Sequence, residues 1–400
     1  MNKKLLIIGG GIAGLSAAKS AREADIDCDI TIFERENYNT YIRTRIPHYI
    51  SGETSLKEMM PYNDEWYSKN NINLIKNIEV IKLNADAKEI ITDKGSFLYD
   101  ALIIASGARP FSPPIKGVEL ANVISIRSIE DADNARRLSL KSKTCTVIGG
   151  GLLGLEMAWS ISQLGCKVNI IEHNDRLLPR QTDTIASSLL FEALSNKGMN
   201  IYLNSQTEEF IGKTVVEGVK LKDGKIIETD FVILSTGVRA SIGPFKDAGL
   251  DIGRAITVNE LMETNVENIY AAGDAAEFVG NNYCIWPIAM SQGKVAGCNA
   301  AGKQLKYEDM KPFTQLKIHG IALFTIGNIF AEGCTILEEF NKDDRKYMKF
   351  FVKDNMIIGA IVFGDAALPS KVKKAVENKV RLSLDKFSIE ELIKSICCAS

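Results

Sequence analysis

Apolar residues fall along this chain in short runs, several of them unbroken, and glycine follows closely after most. Leu5 to Ile8 leads into Gly9, Leu102 to Ile104 into Ser106 and Gly107, and Val232 to Leu234 into Gly237. A run with no polar face suits a strand buried on both sides, as in a parallel sheet covered by helices. Two further strand-like pieces, Ile30 to Phe33 and Val168 to Ile171, each stop at a carboxylate, Glu34 and Glu172. The pattern predicts strand, turn, helix and strand, written twice.

The turns are alike in detail. GGGIAGLSAA at 9–18 returns as GGGLLGLEMA at 149–158. In the first copy Gly9 permits the tight turn, Gly11 lets backbone amides approach a pyrophosphate, and Gly14 allows close packing of helix on strand. The next helix directs its N-terminal amides and partial positive charge at the phosphates. Glu34 is then placed to accept hydrogen bonds from a ribose diol. Gly149, Gly151, Gly154 and Glu172 repeat the set. Strand, turn, helix, strand and a carboxylate about 20 residues on make a specific signature. Two dinucleotides are therefore expected. Glu172 would repel a 2′-phosphate, which favours NADH over NADPH, although Arg176 lies nearby in sequence.

Bulk properties narrow the class. At 400 residues with a formal charge of −2 and interspersed signs, the chain gives no reason to expect a nucleic-acid or anionic-membrane partner. No apolar stretch approaches the roughly 20 residues of a membrane span. The start MNKKLLII has the look of a signal peptide, but the glycine fingerprint begins inside its apolar run, so it reads as a first strand. The eight cysteines form no CxxC and no cluster with His48, His173 or His319, so no metal centre is expected. Scattered thiols suit a reducing compartment, hence a cytoplasmic enzyme.

Three later segments mark returns to the cofactors: LIIASG with Ser106 and Gly107, VILSTG with Gly237, and IYAAGD with Gly273 and Asp274. Three of the ten prolines fall in 109–116, as at a domain crossover. The expected division is 1–108 and 236–308 for a split flavin domain, 109–235 for a nicotinamide domain, and 309–400 for a third, α+β domain. In that last part Ile321 to Ile326, Tyr347 to Val352 and Ile357 to Phe363 read as strands, and a helix should begin after Pro369. Ser388 with Glu391 reads as a capping box and Phe387 with Leu392 as a hydrophobic staple. Ile389, Leu392, Ile393 and Ile396 then share one helical face.

Taken together, residues 1 to about 308 resemble the FAD-dependent pyridine nucleotide–disulfide oxidoreductase superfamily. Within it they are most similar to NADH–rubredoxin reductases, ferredoxin reductases and the flavin module of NADH-dependent nitrite reductases. The resemblance implies a glutathione-reductase-like α/β fold with two doubly wound Rossmann-type domains. It implies that Asp274 hydrogen-bonds the flavin ribitol. It also implies that a helix near Ala289 to Gly293 points its N-terminus at the isoalloxazine. Disulfide reductases of the superfamily carry CxxxxC after the first acidic residue. Here that place is filled by Tyr41-Ile42-Arg43-Thr44-Arg45-Ile46. The YxR pattern is similar to electron-transfer members, which usually have proline where Thr44 stands. Those relatives also pair a lysine with the glutamate matching Glu156. Here the candidates for that partner are Arg43, Arg45 and His48, which makes Glu156, Arg43 and His48 the candidate catalytic set. Cys397 and Cys398 match the vicinal pair of mercuric reductases, but the flavin-proximal pair those enzymes need is missing, and packing is the expected role.

The implied activity is electron transfer from NADH through FAD to a small electron carrier such as rubredoxin, by a monomer or homodimer. Alternatives are an NADH oxidase that reduces oxygen and a flavin-based redox sensor with little turnover.

Overall fold

The structure is a computed structural model that describes residues 2–382 and 388–398, with the backbone alone at Cys398. In chain order it begins β1 (Lys4–Ile8), α1 (Ile12–Ala24), β2 (Asp29–Phe33), β3 (Ile72–Ile75) and β4 (Ala101–Ile104). It continues β5 (Val123–Ser125), β6 (Thr144–Ile148), α2 (Leu152–Gln163), β7 (Lys167–Ile171), α3 (Thr184–Ser195), β8 (Asn200–Tyr202) and β9 (Phe231–Leu234). After β10 (Ile269–Ala271) and α4 (Trp286–Ala300) come β11 (Phe313–Gln315), β12 (Leu323–Gly327), β13 (Thr335–Asn341), β14 (Lys346–Lys353) and β15 (Met356–Phe363), then α5 (Leu368–Glu377) and α6 (Ile389–Cys398).

Two compact units result. One takes Met1–Phe111, Arg127–Ile129 and Gly237–Asp309; the other takes Ser112–Ile126, Glu130–Thr236 and Met310–Ser400. The first unit holds a parallel sheet in the order β10–β4–β1–β2–β3. Leu5, Leu6, Ile7 and Ile8 at its centre are all nearly inaccessible, as an unbroken apolar run requires. The second unit holds a parallel sheet in the order β5–β9–β6–β7–β8, strand for strand the same plan. The outermost strand beside β4 arrives from later in the chain, and the one beside β9 from earlier. Each unit also places a three-stranded antiparallel sheet just before β4 or β9 in the chain, at 80–98 and 207–228.

In the first unit α4 packs on α1 at backbone contact. A Cβ on Gly293 would sit 2.2 Å from the Ala13 carbonyl oxygen, and one on Gly297 2.1 Å from that of Ala17. No larger residue fits at either position while the helices keep this spacing.

The second unit includes an antiparallel sheet in the order β11–β12–β15–β14–β13, with α5 and α6 over one face. Phe350, Val362, Val372, Leu392 and Ile396 form its core. Ile389 is buried with them and Ile393 partly so, while Ser388 Oγ accepts the Glu391 N–H at 3.3 Å. Phe387, expected to staple this helix, lies outside the described residues. Asp183 caps α3 by accepting the Ala186 N–H at 3.0 Å, and it also accepts the Tyr347 hydroxyl and Lys349 ammonium at 2.5 and 3.1 Å. The strand β13 is not legible in the sequence because it is an edge strand: Leu337 is buried, yet Ile336 and Phe340 stay 49% and 43% exposed. Its apolar positions therefore do not mark one covered face.

Candidate functional site: two dinucleotide turns

The two glycine turns are superimposable in their bonding. Gly9 N–H donates to the Phe33 carbonyl and Gly149 N–H to that of Ile171, each at 2.8 Å. Both glycines have positive φ, 101° and 114°, and a Cβ on either would lie 2.3 Å from a carbonyl oxygen, Ala105 or Ser235. Only glycine meets both conditions. A Cβ on Gly14 or Gly154 would lie 2.0 or 2.1 Å from the carbonyl oxygen of Gly9 or Gly149, which is how closely each helix sits on its turn.

The outer side of each turn is open. A Cβ on Gly11 or Gly151 would meet nothing within 4 Å. These residues begin α1 and α2 with no side-chain cap and no acid in the first turn, so the leading amides and positive helix end are undressed. Beside each stands the expected carboxylate. Glu34 accepts the Gly10 N–H at 2.6 Å and Glu172 the Gly150 N–H at 2.7 Å, both from buried positions. Burial pushes the Glu34 carboxyl above its ordinary range, against the pull of backbone donors and Arg43. An open turn, bare helix amides and a buried acceptor one residue away suit a pyrophosphate with its ribose.

In the first unit the other expected residues converge. Gly107 and Gly237, both at positive φ, flank a two-stranded ribbon in which 108–110 pairs with 238–240. Ser106 Oγ donates to the Ser241 carbonyl at 2.9 Å. Gly273 N–H donates to the buried Gln292 at 2.9 Å, and a Cβ on Gly273 would lie 2.9 Å from that of Ala13 and 3.3 Å from that of Ala289. So Gly273, Asp274, Ala289 and the first turn of α1 are neighbours. The helix α4 starts without a side-chain cap, with Pro287 in its first turn.

Arg43 lies at the centre of a network. It donates to Glu36 at 2.6 Å, to the Tyr41 hydroxyl and to the Arg127 carbonyl at 2.8 Å, while the Tyr41 hydroxyl donates to Glu36 at 2.7 Å. Thr40 Oγ1 donates to the Gly10 carbonyl, tying this segment to the turn. Arg127 in turn donates to Asp274 at 2.8 Å. His48 shares a 2.7 Å contact with Glu53, and Arg45 donates to the Glu58 carbonyl at 3.2 Å. In the second unit Glu156 is buried on α2 and accepts the Lys317 N–H at 3.0 Å.

Sequence reasoning missed Arg127, which sits in a loop with no motif, and it missed the Glu36 and Gln292 side chains. It also missed the α1 contact, for which a glycine pair spaced by four on α4 is a legible signal.

The family model described as pyridine nucleotide-disulphide oxidoreductase matches residues 3–293, and that of the rubredoxin NAD+ reductase C-terminal domain matches 312–380. The chain is 35% identical over 385 residues to a nitrite reductase [NAD(P)H] of Bacillus subtilis (strain 168), covering 95% of this chain. It spans 48% of that protein, about half its length. An NADH-rubredoxin oxidoreductase of Clostridium acetobutylicum is 34% identical over 377 residues, 94% of either chain. The crystal structure of NADH:rubredoxin oxidoreductase from the same species aligns with a TM-score of 0.81 at 31% identity, over 98% of this chain and 100% of that one.

Proposed function

The chain belongs to the pyridine nucleotide-disulphide oxidoreductase family, and from that premise we propose that it is an FAD-dependent enzyme that takes electrons from NADH and hands them to a small iron protein of the rubredoxin type. The family implies FAD and NAD(P)H. Gly9, Gly11, Gly14, Glu34, Ser106, Gly107, Gly237, Gly273, Asp274 and Ala289 would hold FAD in the first unit. Gly149, Gly151, Gly154 and Glu172 would hold NADH in the second. The observation that carries the reading is the duplicated open turn with its buried carboxylate. Beside it stands a segment from Tyr41 to Ile46 without a thiol; no cysteine occurs between Cys28 and Cys145.

Bound FAD supplies the chemistry, accepting hydride as a pair of electrons and releasing them singly. The protein supplies position and charge. Arg127 holds the Asp274 carboxylate, which would accept a hydrogen bond from the ribitol of bound FAD, and Arg43 holds Tyr41 and Glu36 in place behind the turn. The bare N-terminus of α4 stabilises negative charge that develops beside it. Glu156 in the second unit, and Arg43 and His48 in the first, are proposed as the catalytic residues. The carboxylate of Glu172 disfavours a 2′-phosphate, which makes NADH the preferred donor over NADPH. Dispersed free thiols suit the cytoplasm.

The test is an anaerobic NADH titration followed through the flavin absorbance, then mixing with oxidised rubredoxin. Bleaching at one NADH per flavin and rapid recolouring by rubredoxin is the expected result. Recolouring by air alone points to an oxidase, and an absence of bleaching rejects the NADH assignment.

A further inference from the structure

The two buried carboxylates occupy the same place in their turns but not the same state. Glu34 uses Oε2 for the Gly10 N–H and Oε1 for the Glu36 N–H, at 2.6 and 2.8 Å. The Glu36 side chain turns away to Arg43 and Tyr41. Glu172 makes the matching pair, Oε2 to the Gly150 N–H at 2.7 Å and Oε1 to the Asn174 N–H at 2.8 Å. Its Oε1 then receives two more contacts, from Asn174 Nδ2 at 2.6 Å and His173 Nδ1 at 3.0 Å. A carboxylate offers about four acceptor sites. Glu34 carries one bond on each oxygen, whereas Glu172 carries one on Oε2 and a crowd on Oε1, where the Asn174 amide N–H and side chain already take both acceptor sites and His173 stands alongside.

We propose that the Asn174 side chain is a built-in competitor for the ribose diol of the nicotinamide dinucleotide at Glu172, so that the nucleotide binds there by displacing it. This rests on the reading of Glu172 as the ribose acceptor of the second turn. The residue two places after each carboxylate decides the outcome: Glu36 is drawn off by Arg43, whereas Asn174 folds back. The Asn174 loop is fixed for this purpose. Its carbonyl accepts the Asn204 N–H at 2.9 Å, and Leu178 N–H donates to the Gly150 carbonyl at 3.0 Å. Breaking the amide–carboxylate bond lowers the net affinity for a ligand that must leave after every turnover. No side chain competes in this way at Glu34, where a cofactor has to stay.

The experiment uses the flavin-loaded protein and ADP-ribose as the probe, by titration calorimetry. Asn174→Ala and Asn174→Leu are expected to bind ADP-ribose roughly fivefold to tenfold more tightly than the wild type, the worth of one such bond. The leucine keeps the side-chain volume without the donor, so a collapsed loop and a lost competitor are told apart. Unchanged or weaker binding in both variants overturns the proposal. A second measurement needs no variant: the Asn174 side-chain NH2 resonance of selectively labelled wild type must move when ADP-ribose is added, and a static resonance overturns the proposal too. If the wild type binds no ADP-ribose, the assignment of the second turn to a nicotinamide dinucleotide falls as well.

Discussion

Behind the first carboxylate the chain enters a cage in which Arg43, Tyr41, Glu36 and Arg127 hold one another. Behind the second it enters a short loop in which Leu177 leans on Gly150, its Cδ2 2.7 Å from where a Cβ would be, and Asn174 folds onto Glu172. The turns themselves are bonded alike, so the difference lies in the residues packed behind them. One surround is braced by charged groups from distant parts of the chain: Asp274 is 147 residues from Arg127. The other is assembled from local residues. A turn braced from afar suits retention, and a turn covered by a movable local side chain suits exchange.

The comparison can be broken outright by filling the turns. Gly14→Val should yield colourless or insoluble protein, because its side chain starts 2.0 Å from a carbonyl oxygen. Gly154→Val should stay yellow yet no longer bleach with NADH. A yellow Gly14→Val or a bleachable Gly154→Val would contradict the assignment of turns to cofactors. Next in size is charge reversal at the second carboxylate. Glu172→Arg is expected to lower kcat/KM for NADH by about 100-fold, near the loss of a buried charge-assisted bond of up to about 3 kcal/mol, and to narrow the gap to NADPH. Steady-state kinetics with both donors decide it.

A smaller effect is expected in the bracing of the first turn. Arg127→Ala removes one charge-assisted bond to Asp274 and should weaken FAD retention about tenfold, read by flavin release on dilution, with the affinity for ADP-ribose unchanged. Helix contact tests the same unit from its other side: Gly293→Ala should cost about 1–3 kcal/mol through overpacking on Ala13, seen as a lower Tm. The smallest prediction concerns a thiol. Cys284 is pushed up to about 12, first by burial and then by Asp274, against the pull of Arg127. It is therefore protonated at pH 8 and should resist iodoacetamide there, reacting only as the pH climbs toward 12, while the exposed Cys397 labels early.

The parallel strands, both turns and both carboxylates were legible because each is a short-range pattern with a strict steric reason. Leu5 to Ile8 reads as a buried strand from four letters, and Gly9 and Gly14 answer to single carbonyl oxygens. Arg127 was not legible, since its meaning comes from Asp274 and Arg43 meeting it in space. Nor was the crowding of Glu172 Oε1 by Asn174, because asparagine two residues after an acid has no fixed role until the loop closes. The edge strand β13 was hidden for a different reason: a strand without a second neighbour does not need to cover its apolar residues.

The bonds from Glu34 to the Gly10 amide and from Glu172 to the Gly150 amide have a thermodynamic consequence. Each turn owes its shape to an anchor inside the protein, so the backbone that meets a pyrophosphate is already ordered before any ligand arrives. Little conformational entropy is then left to lose on association. Affinity at either turn becomes a matter of the groups the ligand touches or displaces, and neighbouring side chains can adjust it without remaking the glycine turn.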